Sequence, residues 1–199
     1  MQQGRITLGH EQAEAGVRQL PSWMQFISDE KNRMIQIAQD LLVVNQLAPY
    51  PHFEEWEPAI YGALRTYSEL SRPARISRIG VRYINRVVIP RAPVRLKDFF
   101  TVYPNLPQSL GDVHGPFMVR VEVPKLDHKV LITFGTAPAP SPSEVVQAFA
   151  LDFYDIIQFE SAIDDNIVKI QVEQAHENIV VAFEDSITDQ LRSLFEPED

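Results

Sequence analysis

The 199 residues include no cysteine, which excludes disulfides, thiolate nucleophiles and cysteine-based zinc sites. Glycine is scarce, with 8 residues, and only Gly111-Asp-Val-His-Gly115 brings two of them close together. That segment follows no clear strand and lacks the lysine of a phosphate-binding loop, so it reads as a turn. The five histidines, His10, His52, His114, His128 and His176, include no pair at the i, i+4 spacing by which a helix presents two metal ligands. His10-Glu11 and His176-Glu177 each begin like a zincin motif without its second histidine, and both read as solvated helix residues. There is no GxSxG nucleophile elbow. No apolar run approaches the roughly 18 residues of a membrane span. The opening Met1-Gln-Gln-Gly-Arg-Ile-Thr-Leu8 has no apolar core of signal-peptide length. A cytoplasmic protein without a membrane segment is expected.

What is present is an ordinary globular composition, 45% apolar and 23% charged. The length fits one domain spanning 1–199. The net charge of −9 hides an asymmetry. Residues 65–97 hold nine Lys and Arg against Glu69 alone, a net of +8, whereas residues 144–199 hold fourteen acids against Lys169 and Arg192, a net of −12. Such a split points either to partners or to internal neutralisation.

Along the chain, His10–Leu20 reads as a short helix. Trp23–Ile27 and Met34–Ala38 flank Asp29-Glu-Lys-Asn32 as a hairpin, and Leu41–Asn45 makes a third strand. Phe53, Trp56, Ile60, Leu64 and Tyr67 recur at three and four, the spacing of one helical face over 53–70, with Glu54, Glu55 and Glu57 at its positive end and Pro73 as its stop. Residues 75–89 alternate as a strand, with Ile79, Val81, Tyr83, Val87 and Ile89 on one side and Arg78, Gly80, Arg82, Ile84 and Arg86 on the other. A short helix is expected near Leu96–Phe100, then antiparallel strands over 117–123 and 129–134. Residues 145–159 suit helix or strand by length, and the alternation of Phe149, Leu151, Phe153 and Ile157 favours a strand. Ser161-Ala-Ile-Asp164 resembles a capping box for a helix through Phe183, with a restart at Ser186-Ile-Thr-Asp189. Together these predict an α+β fold, an antiparallel sheet of about five to seven strands with two main helices packed on one face.

Candidate chemistry reduces to a few residues. Asp152 and Asp155 could do acid-base work, but three-residue spacing on a strand puts them on opposite faces. Asn85, an amide on an apolar face, reads as the partner of a bend or a buried backbone group. Arg78, Arg82 and Arg86 form a row on one face, with about 13 Å between neighbours at about 3.3 Å per residue. Such a row suits a phosphorylated or nucleic-acid ligand, because arginine forks bind phosphate and rows of cations release counterions. Alternatively Glu122, Asp152, Asp155 or the acidic C-terminal helix neutralises it, leaving most of its arginines paired and one open.

Arg78-Ile-Gly-Val-Arg-Tyr-Ile-Asn-Arg-Val-Val-Ile-Pro90 resembles the strand motif of a sporadically distributed bacterial family of uncharacterised proteins, usually longer than this chain. Tyr50-Pro-His-Phe-Glu-Glu-Trp56, Pro104-Asn-Leu-Pro107, and His176 to Glu184 followed by Ile187-Thr188 are similar to its further landmarks. The resemblance covers most of residues 23–195 and implies an additional N-terminal strand, beside a Pro-Pro-hydrophobic-Glu segment, that this chain lacks or carries in altered form. It transfers no catalytic residue, metal or cofactor. The patchy distribution it implies is that of mobile or defence-associated genes. The expectation is therefore a non-enzymatic binding or regulatory protein acting through a protein partner, antitoxin-like or a defence-system subunit. A nucleic-acid or phosphorylated-ligand binder using the arginine strand is the alternative, and an enzyme with carboxylate or histidine chemistry a third reading.

Overall fold

The computed structural model describes residues 23–141, 145–162 and 164–195, so the expected helix over His10–Leu20 lies outside the described residues. The protein is α+β, with seven strands, all paired antiparallel, and two main helices among the described residues. The strands are divided three and four between two sheets. The chain likewise gathers into two compact units, Met1–Pro73 and Ala74–Asp199.

The first unit is a meander of β1 (Met24–Ile27), β2 (Arg33–Ala38) and β3 (Leu41–Gln46) in the order β1-β2-β3. Its first turn places Lys31 at a positive φ of 58° and is tied by Ser28 Oγ donating to Asn32 Oδ1 at 3.1 Å. Helix α1 (Phe53–Ser71) carries Glu54 and Glu55 in its first turn, where the helix dipole favours acids. It buries Phe53, Trp56 and Tyr67, the periodic stripe read from the sequence. Tyr67 Oη donates to Gln39 O at 3.1 Å, fixing the helix to the β2–β3 turn. The helix ends where Arg72 turns left-handed at φ 44°, just before Pro73, which has no N–H with which to extend it.

The second unit is one sheet in the order β4-β7-β6-β5, formed by β4 (Ile76–Ile89), β5 (Met118–Pro124), β6 (His128–Ala137) and β7 (Gln147–Ser161). The ambiguous segment is thus the strand β7. Its partner across most of its length is β4, with Tyr83 opposite Phe153 and Arg86 opposite Ala150. The register puts the odd residues of β4 and β7 and the even residues of β6 on one face. Helix α2 (Asp165–Ser186) lies on that face and buries Val168, Val172, Ala175 and Ile179 against it. Phe149, Leu151 and Phe153 are fully buried there, and each such side chain contributes about 1.5–3 kcal/mol. Phe100 packs on Phe134 at 4.5 Å between centroids, both rings meet Phe149, and Phe134 also meets Phe117.

The capping box does not form. β7 runs on to Ser161, and the cap of α2 is Asp164, whose Oδ1 accepts from the backbone N–H groups of Asn166 at 2.8 Å and Ile167 at 3.3 Å. The expected restart does occur: Thr188 caps α3 (Asp189–Arg192), its Oγ1 accepting from Leu191 N at 3.3 Å. On the face away from α2, the Tyr154 ring lies over Gly80, where a Cβ would stand 2.5 Å from its Cε2. No described helix is long and apolar enough to cross a membrane.

Candidate functional site

Strand β4 is an edge strand, so the row of Arg78, Arg82 and Arg86 stands at the border of the sheet, on the face that α2 leaves uncovered. All three are exposed. Arg82 is held by Asp152, with Nε donating to Oδ1 at 2.8 Å and Nη2 to Oδ2 at 2.6 Å. This fork-to-fork pair raises the pKa of Arg82, chiefly through the hydrogen bonds it donates to Asp152. Arg86 Nη2 donates to the carbonyl of Pro138 at 2.7 Å. Arg78 makes no hydrogen bond or ion pair among the described residues. Glu122, also expected as a neutraliser, pairs instead with Lys129 at 3.0 Å. The expectation of mostly acid-paired arginines is met only at Arg82, since Arg86 meets a neutral carbonyl and keeps its charge uncompensated among the described residues. Exposed Ile84, Val88 and Met118 lie among these charges, at 64%, 37% and 78% accessibility.

The opposite face holds Asp155, expected as a possible neutraliser of the arginine row but turned away from it, together with polar partners that sequence reasoning passed over. Asp155, fully buried, does face away from Asp152. Its Oδ1 accepts from His128 Nδ1 at 2.8 Å and its Oδ2 from Asn178 Nδ2 at 2.8 Å. Asn178 Oδ1 in turn accepts from Gln174 Nε2 at 3.2 Å. β7 supplies the acid, β6 the imidazole and α2 the two amides. Asn178 and Gln174 are four apart and share a helical side. These groups border a cleft of about 180 Å³ lined by Asp127, His128, Ile157, Gln171, Gln174 and Asn178. The signal in the sequence was an acid at an inward position between Phe153 and Ile157.

His176, read as a solvated helix residue, is half-buried and bonds Tyr83 Oη through Nδ1 at 2.9 Å. Asn85 donates to Leu151 O at 3.3 Å, the backbone role expected of it. His114 bonds the carbonyl of Pro104 at 2.9 Å, in a loop apart from His128. The described residues hold no group of three or more metal-ligating side chains. Comparison with family models, with curated proteins and with solved structures finds no match. Function therefore rests on the two faces of the second sheet.

Proposed function

We propose that the chain is a non-enzymatic binding protein whose sheet face away from α2 takes an acidic protein partner. The observation that carries this reading is local charge. In a chain of net −9, that face presents Arg78, Arg82, Arg86, Arg120 and Lys129 against Glu122 and Asp152 among the described side chains. Exposed Ile84 and Met118 among the cations add the apolar contact area that protein interfaces use. A protein suits this mixture better than a nucleic acid does. Arg82 is already committed to Asp152, the ring of Tyr154 lies down over Gly80 instead of standing as a stacking platform, and the overall charge repels polyanions. The outer edge of β4, beside which no described strand lies, adds backbone groups that a partner strand can meet. The family resemblance lies in β4 itself, and with it the narrower reading of an antitoxin-like or defence-system subunit.

The test is co-expression with the products of neighbouring genes. A stable complex is expected that dissociates faster as salt rises, and that Ile84→Asp or Arg86→Glu disrupts without lowering the urea midpoint. A monodisperse chain that captures none of those products, or a complex indifferent to both substitutions, overturns the reading. Binding to a nucleic-acid panel at low salt, weakened by Arg78→Glu, would move the function to the phosphate-binding alternative.

A further inference from the structure

The cleft beside His128 lies on the face of the sheet opposite the proposed partner surface, and its polarity is set by the network beneath it. A carboxylate only accepts hydrogen bonds, so His128 Nδ1 carries a proton and donates to Asp155 at 2.8 Å. In the neutral ring this leaves Nε2 as an acceptor, and Nε2 stands 4.0 Å from Asp127 Oδ1 at the cleft. The same logic runs along α2. Asn178 spends its amide N–H on Asp155 and its carbonyl on Gln174, and Gln174 spends an N–H on Asn178. Gln174 Oε1 is the acceptor that remains. Three acceptors of separate origin therefore surround the cleft, namely the imidazole Nε2, the Asp127 carboxylate and the Gln174 carbonyl. No lysine or arginine lines it, and Ile157 supplies an apolar wall. Lys129 is engaged with Glu122 and Lys169 with Glu173, and Lys125, whose backbone N–H donates to His128 O at 2.9 Å, is not among the lining residues.

We infer that this cleft is a binding site for a small cationic group with several N–H donors, an alkylammonium or a guanidinium. Such a group matches the acceptors in number and the site in charge, and its carbon stem or planar face rests on Ile157. An anion would meet the Asp127 carboxylate and no lining cation, and a ligand without donors would displace water from the acceptors without replacing its hydrogen bonds. Asp155 and Asn178 are positioning residues here, holding His128 in the tautomer that turns Nε2 outward.

The test uses the full chain labelled with ¹⁵N at histidine. Long-range proton–nitrogen spectra are expected to show His128 protonated at Nδ1 and to show saturable shifts of its Nε2 signal on titration with methylguanidinium or butylammonium chloride. Tetramethylammonium, a cation with no N–H donor, and propionate should leave that signal in place. Asp127→Asn, a change at a residue whose side chain is 82% exposed, should weaken methylguanidinium binding about threefold to fivefold while the urea midpoint stays put. Acetyl-Gly-Arg-Gly-amide distinguishes the source of the group. Tighter binding than methylguanidinium indicates an arginine of a peptide, and weaker binding a free small molecule. An Nε2-protonated ring, an equal response to tetramethylammonium, or no saturation by about 50 mM of either donor, the affinity range of groups this small, overturns the proposal.

Discussion

Asp152 and Asp155 stand three residues apart on β7, and the pleat sends them to opposite faces of one sheet. Asp152 lies on the face away from α2 and pairs with Arg82, a guanidinium whose side chain is 53% exposed. Water competes for every bond in that pair, so its net contribution is about 0–1 kcal/mol despite good geometry. Asp155 lies beneath α2 with no exposure and with both oxygens held, one by His128 and one by Asn178. Desolvation there makes each partner indispensable, because an orphaned buried group has no water to fall back on. The difference lies in solvent: a charge on this sheet is bound into the fold where it is buried, and stays in exchange with water where it is exposed.

The sharpest way to break that contrast is to remove each acid in turn. Asp155→Ala should cost about 3–5 kcal/mol, measured as a drop in the urea midpoint at unchanged slope, since it strands Asn178 and His128 together. A loss below about 1 kcal/mol would show that the cluster is solvated and that the two faces do not differ. Tyr83→Phe removes the hydroxyl that meets His176 on the covered face, and thermal unfolding should report about 1 kcal/mol. Arg82→Ala on the open face should stay within about 0–1 kcal/mol by the same measurement, with the smaller value at high salt. The smallest effect belongs to Asp112, whose carboxyl is held below its ordinary range by a hydrogen bond from Lys97 at 2.9 Å, with Arg95 adding to it at 3.2 Å. A lowered folded pKa stabilises the fold above the ordinary carboxylate range. That contribution fades as pH falls through the lowered value. Carboxyl NMR titration should show Asp112 moving back towards its ordinary midpoint in Lys97→Ala.

Local periodicity made most elements legible. The alternation of Phe149, Leu151 and Phe153 marked β7, the three-and-four spacing of Phe53, Trp56 and Tyr67 marked α1, and Thr188 and Asp189 marked the start of α3. Pairing was harder, because β4 finds β7 across the whole segment that contains β5 and β6, and nothing in either strand names its partner. The division into two sheets is invisible for the same reason. The arginine row was readable as a row from the alternation of β4, but Asp152 was only one of several acids that could have met it, because the register between β4 and β7 decides which. The His128 cluster was not readable, because its members come from β6, β7 and α2 and meet only through tertiary packing. Asn178 and Gln174 look like any polar residues on a helix, and the one local clue was an aspartate between inward-facing aromatic and aliphatic neighbours.

The long separation between β4 and β7 has a kinetic side. At its nearer end Ile89 pairs with Gln147, so the ladder closes only after everything from Pro90 to Val146 has been made. Chains emerge from the ribosome at about 5–20 residues per second. β4 therefore waits several seconds with one long flank unprotected, while β5 and β6, joined by a tight turn, can zip together as soon as they appear. A fourteen-residue strand rich in isoleucine and valine is a hazard in that interval. Arg78, Arg82 and Arg86 interrupt it at every second turn of the pleat, and like charges on sister chains repel. Charges spaced in this way are what disfavours edge-to-edge pairing of such a strand while it waits.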